Sequence, residues 1–237
     1  MKTKAILFDK DGTLLDFDAF WITLAKTALG TLFNENGVAF PEEKIMEMVG
    51  VKDGKTDING VLVHGTYGDI AELLYPILKE GGYQKSAETL HEEMNEVFVR
   101  CADAGEIRSD CENLAGVLQE LKDAGIMLAV VTSDTPEMTD KCLQEMGVAE
   151  FFETIYSDDG ITPNKPDPFA AEDFCAKYGF AKEQVVMVGD TMTDMRFAKN
   201  AGIRGVGIAK DETRREILAA ATDTLIYDLS GLFAVLE

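Results

Sequence analysis

Three uninterrupted apolar runs, at residues 5–8, 127–131 and 185–188, constrain this chain more than any other feature. A run of four or five apolar residues with no alternation reads as a strand buried on both faces, the kind found in parallel sheets. Each run stops abruptly in polar residues. The first ends in Asp9-Lys10-Asp11-Gly12-Thr13, the second in Thr132-Ser133-Asp134, the third in Gly189-Asp190-Thr191-Met192-Thr193-Asp194. The carboxyl edge of an open parallel sheet is where such folds bind ligands.

The rest of the second half keeps the same rhythm. Helical patterns at 113–124, 136–146, 167–178 and 193–201 stop at Gly125, Gly147, Gly179 and Gly202, as helix C-termini do. Strands are expected at 127–132, 153–157, 185–189 and 205–208, with a last helix at 212–220 ahead of residues 224–227. Alternation at this spacing implies a doubly wound parallel sheet with helices on both faces. Residues 15–125 show no strand pattern. Helices are expected there at 18–34, 41–49, 69–79 and 87–102, and residues 51–68, with four glycines, read as a long loop. The fold class is therefore α/β, with a helical insertion. At 237 residues the chain has room for a core at 1–15 and 103–237 and an insertion at 16–102, hinged near 15–18 and 102–107.

With 22 basic and 43 acidic residues the net charge is −21, which argues against nucleic acid or an anionic membrane as partner. Cysteines 101, 111, 142 and 175 have no metal-binding spacing and read as reduced packing residues. The apolar run behind the basic N-terminus is too short for a secretory signal, and no apolar stretch reaches the about 18 residues of a membrane span. A cytoplasmic protein is expected.

Residues two apart in an extended chain point the same way, so Asp9 and Asp11 face one site while Lys10 turns aside. Gly12 lets the backbone turn sharply and approach a ligand. Two close carboxylates need a cation or a shared proton; the same Asp-Gly pair also occurs in plain surface turns. Asp190 and Asp194, four apart at a helix start, offer hard oxygen ligands suited to Mg²⁺, or caps for that helix. Lys165 sits in a rigid loop between Pro163 and Pro166.

These residues carry a resemblance. The Asp-x-Asp-Gly-Thr loop, Thr132 closing a strand, Lys165 and the Gly-Asp-x-x-x-Asp stretch resemble, in order, the four motifs of the haloacid dehalogenase-like hydrolase superfamily. The resemblance implies a Rossmann-like core with an α-helical cap inserted after the first strand, most similar in cap type and size to phosphoglycolate phosphatases. It implies an Mg²⁺-dependent phosphatase acting on a small-molecule phosphomonoester through an aspartyl-phosphate. Asp9 would be the nucleophile and Asp11 the general acid and base. Asp9, Asp190, Asp194 and the backbone carbonyl of Asp11 would hold Mg²⁺. Thr132, Ser133, the Gly12 N–H and Lys165 would bind the phosphoryl group. The position of Lys10 is variable in the family. A phosphomutase of the same fold, or a non-catalytic binding protein retaining it, are the alternatives; dehalogenation is disfavoured because Asp11 is present. Core motifs touch only the phosphoryl group, so the leaving group falls to the cap, with Lys52 and Lys55 of the 51–68 loop as candidate contacts for an anionic one. His64 and His91 match no motif. A monomer or homodimer is expected.

Overall fold

The first apolar run forms strand β1, Ala5–Phe8, buried along its whole length. The structure is a computed structural model that describes residues 2–236. The chain divides into two compact units, Met1–Asp16 with Ile107–Glu237, and Phe17–Glu106.

The second unit is helical. A π-wound turn, Asp18–Ile22, leads into α1, Thr23–Glu35, followed by α2, Glu42–Met48. Strands β2, Val51–Lys52, and β3, Lys55–Thr56, come next, then a single turn α3, Val61–His64. Helices α4, Tyr67–Glu80, and α5, Ala87–Arg100, complete it. Helix α4 starts in a capping box, Thr66 and Asp69 satisfying each other's orphan amides. Leu24, Ala28 and Leu32, spaced by four on α1, are buried, as are Leu90, Met94 and Val97 on α5.

Three expectations are corrected here. Residues 51–68 are not a structureless loop: β2 and β3 pair antiparallel, Val51 opposite Thr56 and Lys52 opposite Lys55. The turn between them, Asp53-Gly54, has positive φ at both residues (51° and 72°), the two-residue geometry whose twist matches a hairpin. The helix expected at 18–34 begins as a π turn. Its Asp18 Oδ1 accepts from the Thr56 N–H at 3.2 Å and from Thr56 Oγ1 at 2.6 Å, which ties the hairpin to that turn. Finally, residues 103–106 cluster with the helices and not with the core. The Glu106 N–H donates to the Ala19 carbonyl at 3.4 Å, and Gly105 lies so close to Phe20 that a Cβ would come within 2.4 Å of its ring. Asp16 stays with the core, its N–H on the Arg108 carbonyl at 2.9 Å and its carboxylate 2.7 Å from the Arg108 guanidinium.

The first unit is the α/β core. It adds α6, Leu114–Asp123, β4, Met127–Val131, α7, Pro136–Glu145, β5, Thr154–Tyr156, and α8, Phe169–Tyr178. There follow β6, Val185–Gly189, α9, Met192–Ala201, β7, Arg204–Ile208, α10, Glu212–Ala219, and β8, Leu225–Ile226. Six strands form one parallel sheet in the order β5-β4-β1-β6-β7-β8. Gly125, Gly147, Gly179 and Gly202 all take left-handed φ between 68° and 76°, as a residue closing a helix does.

Alternate residues of β1 feed two apolar layers. Ile6 and Phe8 pack with Leu114, Leu118 and Leu121 of α6 and with Leu229 and Leu232 near the C-terminus. Ala5 and Leu7 pack on the other face with Phe174 of α8 and Phe197 and Ala201 of α9. Chain order reverses about β1, with β4 on one side and β6 on the other. That switch point opens a crevice at the carboxyl ends of the strands. Phe8 is level with both Val130 and Val188, so Asp9, Thr132 and Asp190 all emerge within two residues of one level.

Candidate active site

Asp9 follows β1 directly, its N–H donating to the Val188 carbonyl at 2.8 Å. Asp190 follows β6, and Asp194 lies in the first turn of α9. One carboxylate oxygen from each of these three buried residues lies within 4.8 Å of the others. Lys165 Nζ stands among them, 2.5 Å from Asp9 Oδ1 and 2.7 Å from Asp194 Oδ1. Its loop is tethered to α9 by Asn200, whose side-chain amide donates to the Pro166 carbonyl at 2.9 Å.

Asp194 caps its helix and also lies in the acidic cluster. Its Oδ2 accepts from the Thr191 N–H at 3.0 Å and from Thr191 Oγ1 at 2.6 Å, a capping box for α9, while Oδ1 holds Lys165. Asp190 is different. Its Oδ1 is buried with no hydrogen-bond partner among the described residues, and its Oδ2 lies 3.9 Å from Arg214 Nε. Gly12, at φ +85°, packs against this carboxylate so tightly that a Cβ would fall 2.3 Å from Asp190 Oδ2.

The charges do not balance locally. Burial, most of all, pushes the Asp9 carboxyl well above its ordinary value; Lys165 opposes this, and the charges of Asp194, Asp190 and Asp11 add to it. Burial and then the Asp194 charge push Asp190 up to about 7, against Arg214. Burial works against the charge on Lys165, but Asp194 and Asp9 outweigh it and raise its pKa. Three buried carboxylates against the Lys165 ammonium and the more distant Arg214 guanidinium, with an orphaned oxygen on Asp190, is a donor set that fits a hard divalent cation.

Of the other residues expected in the site, Thr132 is buried, and its Oγ1 accepts from the Asp134 N–H at 3.2 Å. Ser133 is exposed at the same strand end. The Gly12 N–H, expected to face phosphate, is already engaged: it donates to the Leu15 carbonyl at 2.8 Å in a tight turn. What Gly12 contributes here is close approach to Asp190. The Asp11 carboxylate stands apart from the Asp9, Asp190 and Asp194 cluster and carries an ion pair with Lys10 at 2.6 Å. Lys52 and Lys55 are exposed on the β2–β3 hairpin, Lys52 paired with Glu47 at 3.2 Å. The side chain of His64 lies outside the described residues, and His91 is 3.9 Å from Glu72.

Sequence reasoning missed Lys10, Asp134 and Arg214. Lys10 does not turn to solvent: its side chain is fully buried, between Asp11 and Asp134. A lysine inside an apolar strand end, between two acids, was the available signal, because a buried ammonium persists only with paired charges. Arg214 in α10 is too distant in sequence to have been linked to Asp190.

The switch point of a parallel α/β sheet thus gathers a buried aspartate after the first strand, a lysine and two further aspartates. The chain matches the haloacid dehalogenase-like hydrolase family over residues 3–202 and belongs to it. A phosphoglycolate phosphatase of Vibrio cholerae is 34% identical over 119 residues, 50% of this chain and 53% of its own length. Pyrophosphatase PpaX of Bacillus velezensis is 26% identical over 99% of this chain and 96% of its own. The crystal structure of a predicted phosphoglycolate phosphatase from Haemophilus somnus superimposes with a TM-score of 0.72 at 20% identity, covering 100% of this chain and 99% of that one. Among the described residues no helix is long and apolar enough to cross a membrane.

Proposed function

We propose that this enzyme is an Mg²⁺-dependent phosphatase that hydrolyses a small phosphomonoester through an aspartyl-phosphate. The observation that carries the reading is the cluster of Asp9, Asp190 and Asp194 around Lys165, with Asp190 Oδ1 unpartnered. Asp9, Asp190 and Asp194, with the Asp11 carbonyl, would hold Mg²⁺, which neutralises the carboxylates and polarises the phosphoryl oxygen when bound.

The chain's own residues supply the rest. Asp9, oriented by Lys165, forms an oxygen–phosphorus bond in line with the leaving group. As the bond to the leaving oxygen breaks, that oxygen takes its electron pair and a proton from Asp11. Asp11, now a carboxylate, removes a proton from the water as its oxygen bonds to phosphorus; the bond from phosphorus to the Asp9 oxygen breaks, which frees phosphate and restores the Asp9 carboxylate. Thr132 and Ser133 donate hydroxyl hydrogens to the phosphoryl oxygens, and Lys165 offsets their charge. The relatives' names, phosphoglycolate phosphatase and pyrophosphatase, point to a small phosphorylated molecule as the substrate class. The helical unit is assigned the role of cap.

Purified protein screened against a phosphomonoester panel, with Mg²⁺ and with excess chelator, tests this. Release of phosphate is expected only with the metal. Equal rates in chelator, or no release from any ester, would overturn the reading.

A further inference from the structure

The Lys10 ammonium is an unusual object: a positive charge at 0% side-chain exposure, one residue past the Asp9 nucleophile. A lone buried ammonium costs several kcal/mol, so its surroundings must repay it. Its partners include Asp11 Oδ1 at 2.6 Å and Asp134 Oδ2 at 3.0 Å. Burial works against its charge, but Asp11 and Asp134 overcome that and raise its pKa, so it stays an ammonium.

Both ends of this side chain are fixed. The Lys10 carbonyl accepts the N–H groups of Leu14 and Leu15, both at 2.9 Å, which pins the backbone in the turn. Asp134 sits at the start of the α7 segment, where its Oδ1 accepts the Thr135 N–H at 2.8 Å and its own N–H donates to Thr132 Oγ1 at 3.2 Å. Asp134 is thus a fixed post joined to a phosphoryl-binding hydroxyl, and Lys10 leans on it. The Asp11 carboxylate, at the other end, is the most exposed of the three at 16%, against 4% for Asp134.

We propose that Lys10, anchored by Asp134, is a positioning residue that holds the Asp11 carboxyl in the orientation from which it gives its proton to the leaving oxygen. The inference rests on the phosphatase reading and deepens it. Lys10 touches neither phosphate nor leaving group; it acts through Asp11. The competing role is purely structural: Lys10 as the counter-charge that lets Asp134 be buried. The two roles separate because only the first concerns proton transfer to the leaving group.

The test compares phenyl phosphate, whose leaving oxygen needs the proton, with 4-nitrophenyl phosphate, whose leaving oxygen hardly does. Lys10→Met should lower the Tm and reduce kcat/KM for phenyl phosphate by about 10²-fold. In Lys10→Met/Asp134→Asn, which removes both charges, the Tm should recover. Its kcat/KM for phenyl phosphate should stay low, with at least about tenfold less loss for 4-nitrophenyl phosphate. Recovery of phenyl phosphate turnover in the double variant, or equal losses on the two esters, overturns the positioning role. If either Lys10 variant fails to fold, the isosteric Asp134→Asn carries the test. Its phenyl-to-nitrophenyl ratio of kcat/KM should fall by about threefold or more, and an unchanged ratio overturns the proposal. A wild-type protein inactive on both esters with Mg²⁺ would instead overturn the phosphatase reading itself.

Discussion

Asp9 and Gly12 show how much one residue carries at a strand end. Asp9 is a carboxyl kept in a buried, negatively charged place where its proton is hard to lose, with Lys165 opposing that shift. If it is the nucleophile, Asp9→Asn should cut phosphate release by about 10³-fold or more while leaving the circular dichroism spectrum unchanged, because the substitution is nearly isosteric. Residual turnover within about tenfold of wild type would rule out a covalent role. Gly12 is constrained twice, by its φ of +85° and by Asp190 Oδ2 at 2.3 Å from an added Cβ. Gly12→Ala should therefore destabilise by about 1–3 kcal/mol in urea unfolding and impair catalysis as well, since the atom it displaces belongs to the acidic cluster. Lys10 teaches the complementary lesson. Strand alternation pointed it away from the acids, but a lysine has four methylenes, and its ammonium comes back to Asp11.

Among the elements, the β2–β3 hairpin is the one whose form the apolar pattern hid. Two-residue strands are too short to show alternation, and the segment's glycines read as loop. The usable signal was local: Asp53-Gly54 is the dipeptide a two-residue hairpin turn demands, and both residues take positive φ. What holds the hairpin is Asp18, 38 residues away, through two hydrogen bonds to Thr56. Asp18→Ala should therefore speed amide exchange at Thr56 by roughly tenfold, as expected for about 1–1.5 kcal/mol of lost local stability, with little change in the α/β core. Unaltered protection at Thr56 would mean the hairpin stands without that anchor. Helix ends behaved more simply. The glycine stops are short-range devices and sit where the sequence pattern placed them, and Asp194 caps α9 together with Thr191.

For the molecule as a whole, the acidic site ties stability to pH. Burial and the Asp194 charge raise the Asp190 carboxyl from 3.8 to about 7, so between those values the folded state holds a proton that the unfolded chain has lost. The stability from that proton is complete below the unfolded value and disappears as pH rises through about 7. Asp9, raised in the same direction by burial, adds to the effect. A cation binding the deprotonated carboxylates reverses it. Mg²⁺ should therefore raise the Tm more at pH 8 than at pH 6, by mass action on the folded state. A Tm increment independent of pH, measured by differential scanning fluorimetry, would dissociate the metal from these carboxylates.

The residues themselves determined the strands of the parallel sheet and the order of the motifs, because unbroken apolar runs, glycine stops and carboxylates at strand ends are properties of neighbours in the chain. Asp9, Lys165, Asp190 and Asp194 were legible on those grounds, and the sheet brings them together. Tertiary structure decided what depends on distant partners. It placed Lys10 between Asp11 and Asp134, set Arg214 beside Asp190, and occupied the Gly12 N–H with Leu15. Pairing of charges in a low-dielectric interior is set by which segments the fold makes adjacent, and no pattern within one segment records that.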